Sequence, residues 1–200
     1  MRLPWLGEVC QRCALPFHAL DGCCCQLDLP PYDVLQALFA YAWPMNSVIA
    51  KWKYGGQLHW VSLLAEMMVE RLTPIFPADC IIPVPLHPKR LSQRGFNQTI
   101  ELASLIAKAL NIPLDRRSCT RIMNTTSQSQ LDAKARSENI ARETFSVEPS
   151  FSAKHVLIIE DIVTTGATIE AISACLKRQG VQTVEIWCCC RTHKNAKSLL

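Results

Sequence analysis

Four consecutive aliphatic residues, Val156-Leu157-Ile158-Ile159, run straight into the acid pair Glu160-Asp161, and the chain then turns through Thr164-Thr165-Gly166-Ala167-Thr168. An unbroken aliphatic run has no polar face for water, so it reads as a strand covered on both sides, the kind found in parallel sheets. We expect a strand over His155–Ile159, a helix over Thr168–Gln179 stopped by Gly180, and a further strand over Val181–Cys190. Strand, helix and strand in that order define an α/β fold with a central parallel sheet flanked by helices. Ligands of open α/β sheets bind beyond the carboxyl ends of the strands, where Glu160 and Asp161 fall.

The residue types in this segment specify the ligand's chemistry. Residues 164–168 offer successive backbone N–H groups, three hydroxyls and one glycine at the start of a helix, which favours a phosphate. A bare Thr-Thr-Gly is equally an ordinary helix start. The acid pair sharpens the reading, because vicinal ribose hydroxyls donate to carboxylates, and a carboxylate pair also holds Mg²⁺ shared with a pyrophosphate. Four hydrophobic residues, Glu-Asp, and a Thr-Gly-x-Thr loop resemble the signature of type I phosphoribosyltransferases at all thirteen positions from Val156 to Thr168. The resemblance implies that Thr164, Thr165, Gly166, Ala167 and Thr168 surround the 5′-phosphate of phosphoribosyl pyrophosphate (PRPP). It puts Glu160 and Asp161 at the ribose as the catalytic acids.

Upstream, composition shifts near residue 33: before it stand five Cys and four Pro with little periodicity, and after it regular patterns begin. We therefore divide the chain into a cysteine-rich segment, 1–33, and a main domain, 34–200. The patterns predict a strand over Val34–Trp43, helices over Met45–Tyr54 and Leu58–Leu72, and a strand over Cys80–Val84. A basic loop, a helix over Asn97–Leu110 and a short strand over Cys119–Met123 follow. Thr125–Gln130 reads as a polar loop and Asp132–Ala141 as weakly helical. In the basic loop, Lys89, Arg90 and Arg94 suit a diphosphate, Gly95 permits close backbone approach, and Asn97 can open the next helix.

That loop narrows the resemblance. Pro83-x-Pro85-Leu86 followed by Arg90-x₃-Arg94-Gly95-Phe96-Asn97-Gln98 is similar to the ComF/GntX family. Trp52-Lys53-Tyr54-Gly55-Gly56, the set Arg121, Gln128, Leu131, Arg136 and Asn139, and Val184-x₂-Trp187-Cys188-x-Cys190-Arg191-Thr192 match it in order and spacing. Together the matches cover nearly the whole chain. The resemblance implies that Arg121 to Asn139 is the loop that folds over PRPP, with Arg121, Gln128, Arg136 and Asn139 as candidate contacts. It also implies a role in natural competence or the use of external DNA. Two functions follow: a Mg²⁺-dependent transfer of the phosphoribosyl group to an acceptor, or a non-catalytic PRPP sensor binding single-stranded DNA or competence partners.

Eleven Cys in a chain whose start lacks a secretory pattern argue for metal ligation or buried thiols rather than disulfides, and for a cytoplasmic protein. Cys10-x₂-Cys13 with a second cluster at Cys23, Cys24 and Cys25 has the spacing of a structural zinc site. The family resemblance implies a second Cys-x₂-Cys pair, but Gly22 stands three residues before Cys25. Cys23 with Cys25, a shifted pairing through Cys24, or His18 must complete the set. Cys188, Cys189 and Cys190 read as small core residues. With 21 Lys plus Arg against 17 Asp plus Glu, the charge of +4 suits a polyanionic small molecule and does not by itself indicate nucleic-acid binding. Trp5, Trp43, Trp52 and Trp60 can stack on bases but more often pack. Charge, Pro or Gly interrupts every apolar stretch before the roughly 18 residues that a membrane helix needs.

Overall fold

A computed structural model describes residues 3–16, 23, 25, 29–55, 59–123 and 144–192. The expected loop Thr125–Gln130 and helix Asp132–Ala141 lie outside these residues, as do His18, Cys24, Gln128, Arg136 and Asn139.

The elements are β1 (Val34–Ala40), α1 (Met45–Gly55), α2 (His59–Arg71), β2 (Cys80–Pro83), α3 (Pro88–Arg94), α4 (Gln98–Leu110), β3 (Cys119–Arg121), β4 (Phe145–Val147), β5 (His155–Val163), α5 (Ala167–Arg178) and β6 (Thr183–Arg191). The main sheet has the order β1-β6-β5-β2, and all of its pairings are parallel. Alternation along the strands divides the core into two layers. Val156, Ile158, Val184 and Ile186 meet Ile169, Ile172 and Leu176 of α5 on one face. Leu157, Ile159 and Trp187 meet Ile49 and Trp52 of α1, Leu64 and Met68 of α2, and Leu102 and Ile106 of α4 on the other. A separate antiparallel pair, β3 with β4, packs against α5 through Cys119, Phe145 and Val147.

Several boundaries differ from the sequence expectation, each for a local reason. β1 stops at Ala40 rather than Trp43 because its partner β6 ends at Arg191, whose carbonyl takes the last backbone bond, from Tyr41 N–H. The basic loop contains a helix, α3. His87 caps it by accepting from Lys89 N–H, Pro88 supplies a ready φ in the first turn, and Gly95 ends it at φ +80°. A Cβ on Gly95 would meet nothing within 4 Å, so the demand for glycine there is the left-handed backbone.

β5 continues four residues beyond Ile159, because β6 is equally long and pairs with it out to Val163↔Arg191. β2 pairs with β5 only as far as Pro83↔Ile159. The last four residues of β5, including both acids, therefore rise above the end of β2 with one side unpaired by strand. This step in the sheet forms the floor of the candidate site.

The cysteine-rich segment docks on the free edge of β1. Trp5 bridges Phe39 antiparallel, Leu35 N–H donates to the Gln11 carbonyl, and Ala14 and Tyr32 are buried in the core layer that α5 covers.

Candidate active site and cysteine knuckle

The turn after β5 is shaped by Gly166, at φ +100°, and leads directly into α5. A Cβ would lie 2.9 Å from Glu170 Oε1, the far end of an exposed side chain that can swing aside, so here too the left-handed backbone is what calls for glycine. The N-cap Gly166 offers no side chain, and the first turn meets a long contact from Ala167 N–H to Thr165 Oγ1 at 3.4 Å, so its leading N–H groups stay available at the loop. Thr164, Thr165 and Ala167 are exposed, and Glu160 lines the same pocket as residues 162–169. The structure thus joins the five expected phosphate-loop residues and one expected acid in a single concavity. A larger groove at the far end of α4, with Ser104, Lys108, Asn111 and Arg116 in its lining, includes no acid and lies apart from this chemistry.

Glu160 and Asp161 are both buried, at 9% and 2% exposure. Burial, and next the neighbouring Asp161 charge, push the Glu160 carboxyl up to about 8. Near neutral pH Glu160 therefore holds a proton. The Glu160 side chain accepts from the Asp161 backbone N–H at 2.9 Å, which curls it back over the strand end.

Asp161 is held by residues from two helices. Lys53 Nζ of α1 lies 2.9 Å from its Oδ1, and Gln98 Nε2 of α4 donates to its Oδ2 at 2.6 Å. Arg94 Nη1 at the end of α3 then donates to Gln98 Oε1 at 2.7 Å. The start of α4 is itself pinned to the exit of β2: Asn97 Nδ2 and Thr99 Oγ1 both donate to the Val84 carbonyl, and Asn97 Oδ1 caps Thr99 N–H. The role of Asn97 as helix start follows the expectation. Lys53 and Gln98 are site residues that composition and spacing did not single out. Their only signal was position inside the motifs Trp52-Lys53-Tyr54-Gly55-Gly56 and Phe96-Asn97-Gln98.

The expected cations are distributed unevenly. Arg121 on β3 lies over the Phe145 ring, and burial followed by the like charge of Arg90 lowers its pKa, opposed by Glu160. Arg90, Arg121 and Glu160 thus share one electrostatic neighbourhood. Lys89 is exposed on α3, and Arg94 is engaged by Gln98.

In the N-terminal segment, Cys10, Cys13, Cys23 and Cys25 are all buried, and their sulfurs lie within 4.8 Å of one another. The Cys10–Cys25, Cys13–Cys23 and Cys23–Cys25 Sγ separations are 3.5, 3.1 and 3.2 Å. Bonds of about 2.3 Å to a tetrahedral zinc would put sulfurs about 3.8 Å apart, so the four thiols fit such an ion after slight expansion. Four sulfurs would fill the coordination shell, which suits a structural ion. The remaining described thiols are of another kind: Cys80, Cys119, Cys188, Cys189 and Cys190 are buried among the hydrophobic residues of the core, and Cys175 packs against it.

Residues 98–199 match the phosphoribosyl transferase domain family, so this fold and site define a phosphoribosyltransferase-domain protein. Over nearly the full chain, the DNA utilization protein YhgH of Shigella flexneri is 33% identical across 193 residues, covering 92% of this chain and 84% of that protein. Competence protein F of Haemophilus influenzae is 29% identical over 189 residues, covering 89% and 82%. Competence protein ComFC of Bacillus subtilis is 25% identical over 185 residues, covering 87% and 73%. The chain belongs to the ComF-like phosphoribosyltransferase family.

Proposed function

We propose that this protein binds PRPP with Mg²⁺ at the carboxyl end of β5 and transfers its phosphoribosyl group to an acceptor, in the service of competence or the use of external DNA. The carrying observation is the single concavity that joins Glu160 to the Gly166 loop at the start of α5. The leading N–H groups of that helix receive the 5′-phosphate. Glu160 and Asp161 supply the oxygens for the ribose hydroxyls and would hold Mg²⁺, whose chemistry is to neutralise the diphosphate as it leaves. Arg90 and Arg121, with the exposed Lys89, provide positive charge for that diphosphate. As the C1–O bond to pyrophosphate breaks, positive charge grows on the ribose ring, and the buried acids beneath it stabilise that charge. Gln128, Arg136 and Asn139 are proposed to close over the ligand.

The names of the relatives, DNA utilization protein and competence protein, support a role in DNA use or competence; single-stranded DNA or competence proteins are proposed as partners, and the cytoplasm as location. Among the described residues, no helix is long and apolar enough to cross a membrane. The cysteine knuckle is proposed to hold Zn²⁺ in a structural role.

Calorimetric titration with PRPP and Mg²⁺ tests the site: wild type should bind, and Asp161→Ala and Arg90→Ala should lose at least tenfold in affinity. Equal binding by all three proteins would refute the assignment. Release of labelled pyrophosphate in the presence of single-stranded DNA or free bases tests the transfer. Tight binding with no release above background would instead support the non-catalytic sensor.

A further inference from the structure

Arg191 ends β6 and is 4% exposed, a buried cation where the sheet stops. Its described hydrogen bonds all go to backbone carbonyls. Nε donates to Cys13 O at 3.1 Å, and Nη1 donates to Val163 O at 3.1 Å and also to Thr164 O. One acceptor thus belongs to a member of the four-cysteine cluster. The other two belong to the residues where β5 becomes the phosphate loop. Taking a guanidinium out of water is costly, and charge-assisted bonds to oriented carbonyls offset the cost only while both sides stay in place.

These carbonyls matter because a peptide unit is planar. Fixing the Val163 carbonyl, which also accepts from Thr192 N–H at 3.0 Å, and the Thr164 carbonyl fixes, on the opposite side of the same planes, the directions of the Thr164 and Thr165 N–H groups. Those N–H groups belong to the loop assigned to the phosphate. On the cysteine side, the carbonyl of Cys13 sits in a tight turn in which Ala14 N–H donates to Cys10 O at 2.8 Å and Cys10 N–H to Leu15 O at 2.9 Å. The positions of the cysteine sulfurs therefore control where that carbonyl points. Tyr32, buried at 2% exposure in the layer with Ala14, lies within electrostatic reach of Cys13 and Cys25 on one side and of Arg191 and Glu170 on the other.

We propose that Arg191 is a positioning residue that couples the cysteine knuckle to the phosphate loop, so that metal binding by the four thiols and phosphate binding at residues 164–168 strengthen each other. The metal in the four thiols and the phosphate ligand at residues 164–168 both rest on the function proposed above. Binding linkage is reciprocal, and couplings of this kind typically run from about 5-fold to 150-fold. About tenfold is expected for one buried guanidinium.

The test uses the full chain, loaded with Zn²⁺ or stripped by chelator, as wild type and as Arg191→Lys, which keeps the charge and loses the fork. In wild type, stripping should weaken PRPP binding about tenfold and shift the amide NMR signals of Thr164 and Thr165, while those at the centre of β5 stay in place. PRPP should slow zinc loss to a chromogenic chelator about tenfold. In Arg191→Lys the loop signals should be displaced from the outset, and stripping should change neither signals nor affinity further. Unchanged affinity and loop signals in stripped wild type would overturn the coupling. So would a coupling that persists in Arg191→Lys, or a displacement that spreads through all of β5. If loaded wild type fails to bind PRPP, the ligand assignment fails, and the signals of residues 164 and 165 still decide the coupling. The wild-type comparison needs no substitution and remains decisive if Arg191→Lys does not fold.

Discussion

Replacing Lys53 with Met removes the cation 2.9 Å from Asp161 and leaves the methylene stem in place. The side chains are 18% and 3% exposed, so the carboxylate left behind has little access to water. At that separation the direct attraction is about 6 kcal/mol at an effective dielectric of about 20. Desolvation of the ammonium offsets part of it, and breaking one side of a buried pair generally costs about 3–5 kcal/mol. Gln98 still donates to Asp161 at 2.6 Å. We therefore expect the lower end, about 3 kcal/mol, or a fall in Tm of about 6–12 °C for a chain of this size. The cost should also depend on pH. Lys53 helps draw the proton off Glu160, whose carboxyl stands near 8 in the wild type, so the variant's Glu160 keeps its proton to higher pH. The folded variant then binds more protons than the folded wild type above about pH 7, and its stability falls more steeply as pH rises. Urea unfolding of both proteins at about pH 6.5 and about pH 9 measures the gap, which should widen by about 1 kcal/mol or more at the higher pH. A gap that is constant or narrows would refute the account of Lys53 as the counter-charge of this acid pair.

The wild type carries its own pH signature. Glu160 is raised from the usual 4.5 to about 8, so its contribution to stability is full below 4.5 and is lost as pH rises through 8, which unfolding curves across that range should show as a decline. Gly166→Ala adds a Cβ at φ +100°, 2.9 Å from the Glu170 carboxylate; we expect a cost of about 1–3 kcal/mol and at least tenfold weaker PRPP binding, measured by unfolding and calorimetry. Gln98→Leu leaves Asp161 Oδ2 and Arg94 without their shared partner and should cost about 1.5–3 kcal/mol, with PRPP affinity falling in the same protein. Glu185 serves as the contrast. Its two oxygens accept from Gln36, Trp187, Ile75 and Phe76 at the opposite end of the sheet, so Glu185→Gln should lose about 2–3 kcal/mol of stability and leave PRPP affinity unchanged.

What was legible in the sequence was local in character. The aliphatic run of β5, the glycine turn and the amphipathic α5 declare themselves because each depends on neighbours a few positions away, and the helix begins within one residue of its expected start. The α3 signals were local too. Pro88 and Gly95 stand at the usual first-turn and C-cap positions, but the charge of Lys89, Arg90 and Arg94 drew the reading toward a loop. β4 left no comparable signal, since three residues against β3 are too few for alternation to register.

The electrostatic partners of the site lie beyond that reach for a different reason. Lys53, Gln98 and Arg191 come from α1, the start of α4 and the end of β6, and only the sheet order β1-β6-β5-β2 gathers them around the end of β5. β2 ends one residue short of Glu160 in register, which clears room for Gln98 on one side of Asp161. β6 ends level with Val163, which places Arg191 under the loop. The lengths of the two flanking strands thus decide which side chains reach the acids and which reach the loop. Extending β2 by a residue pair would bury the acid pair behind a strand, whereas shortening β6 would leave the Val163 and Thr164 carbonyls without the guanidinium that fixes them.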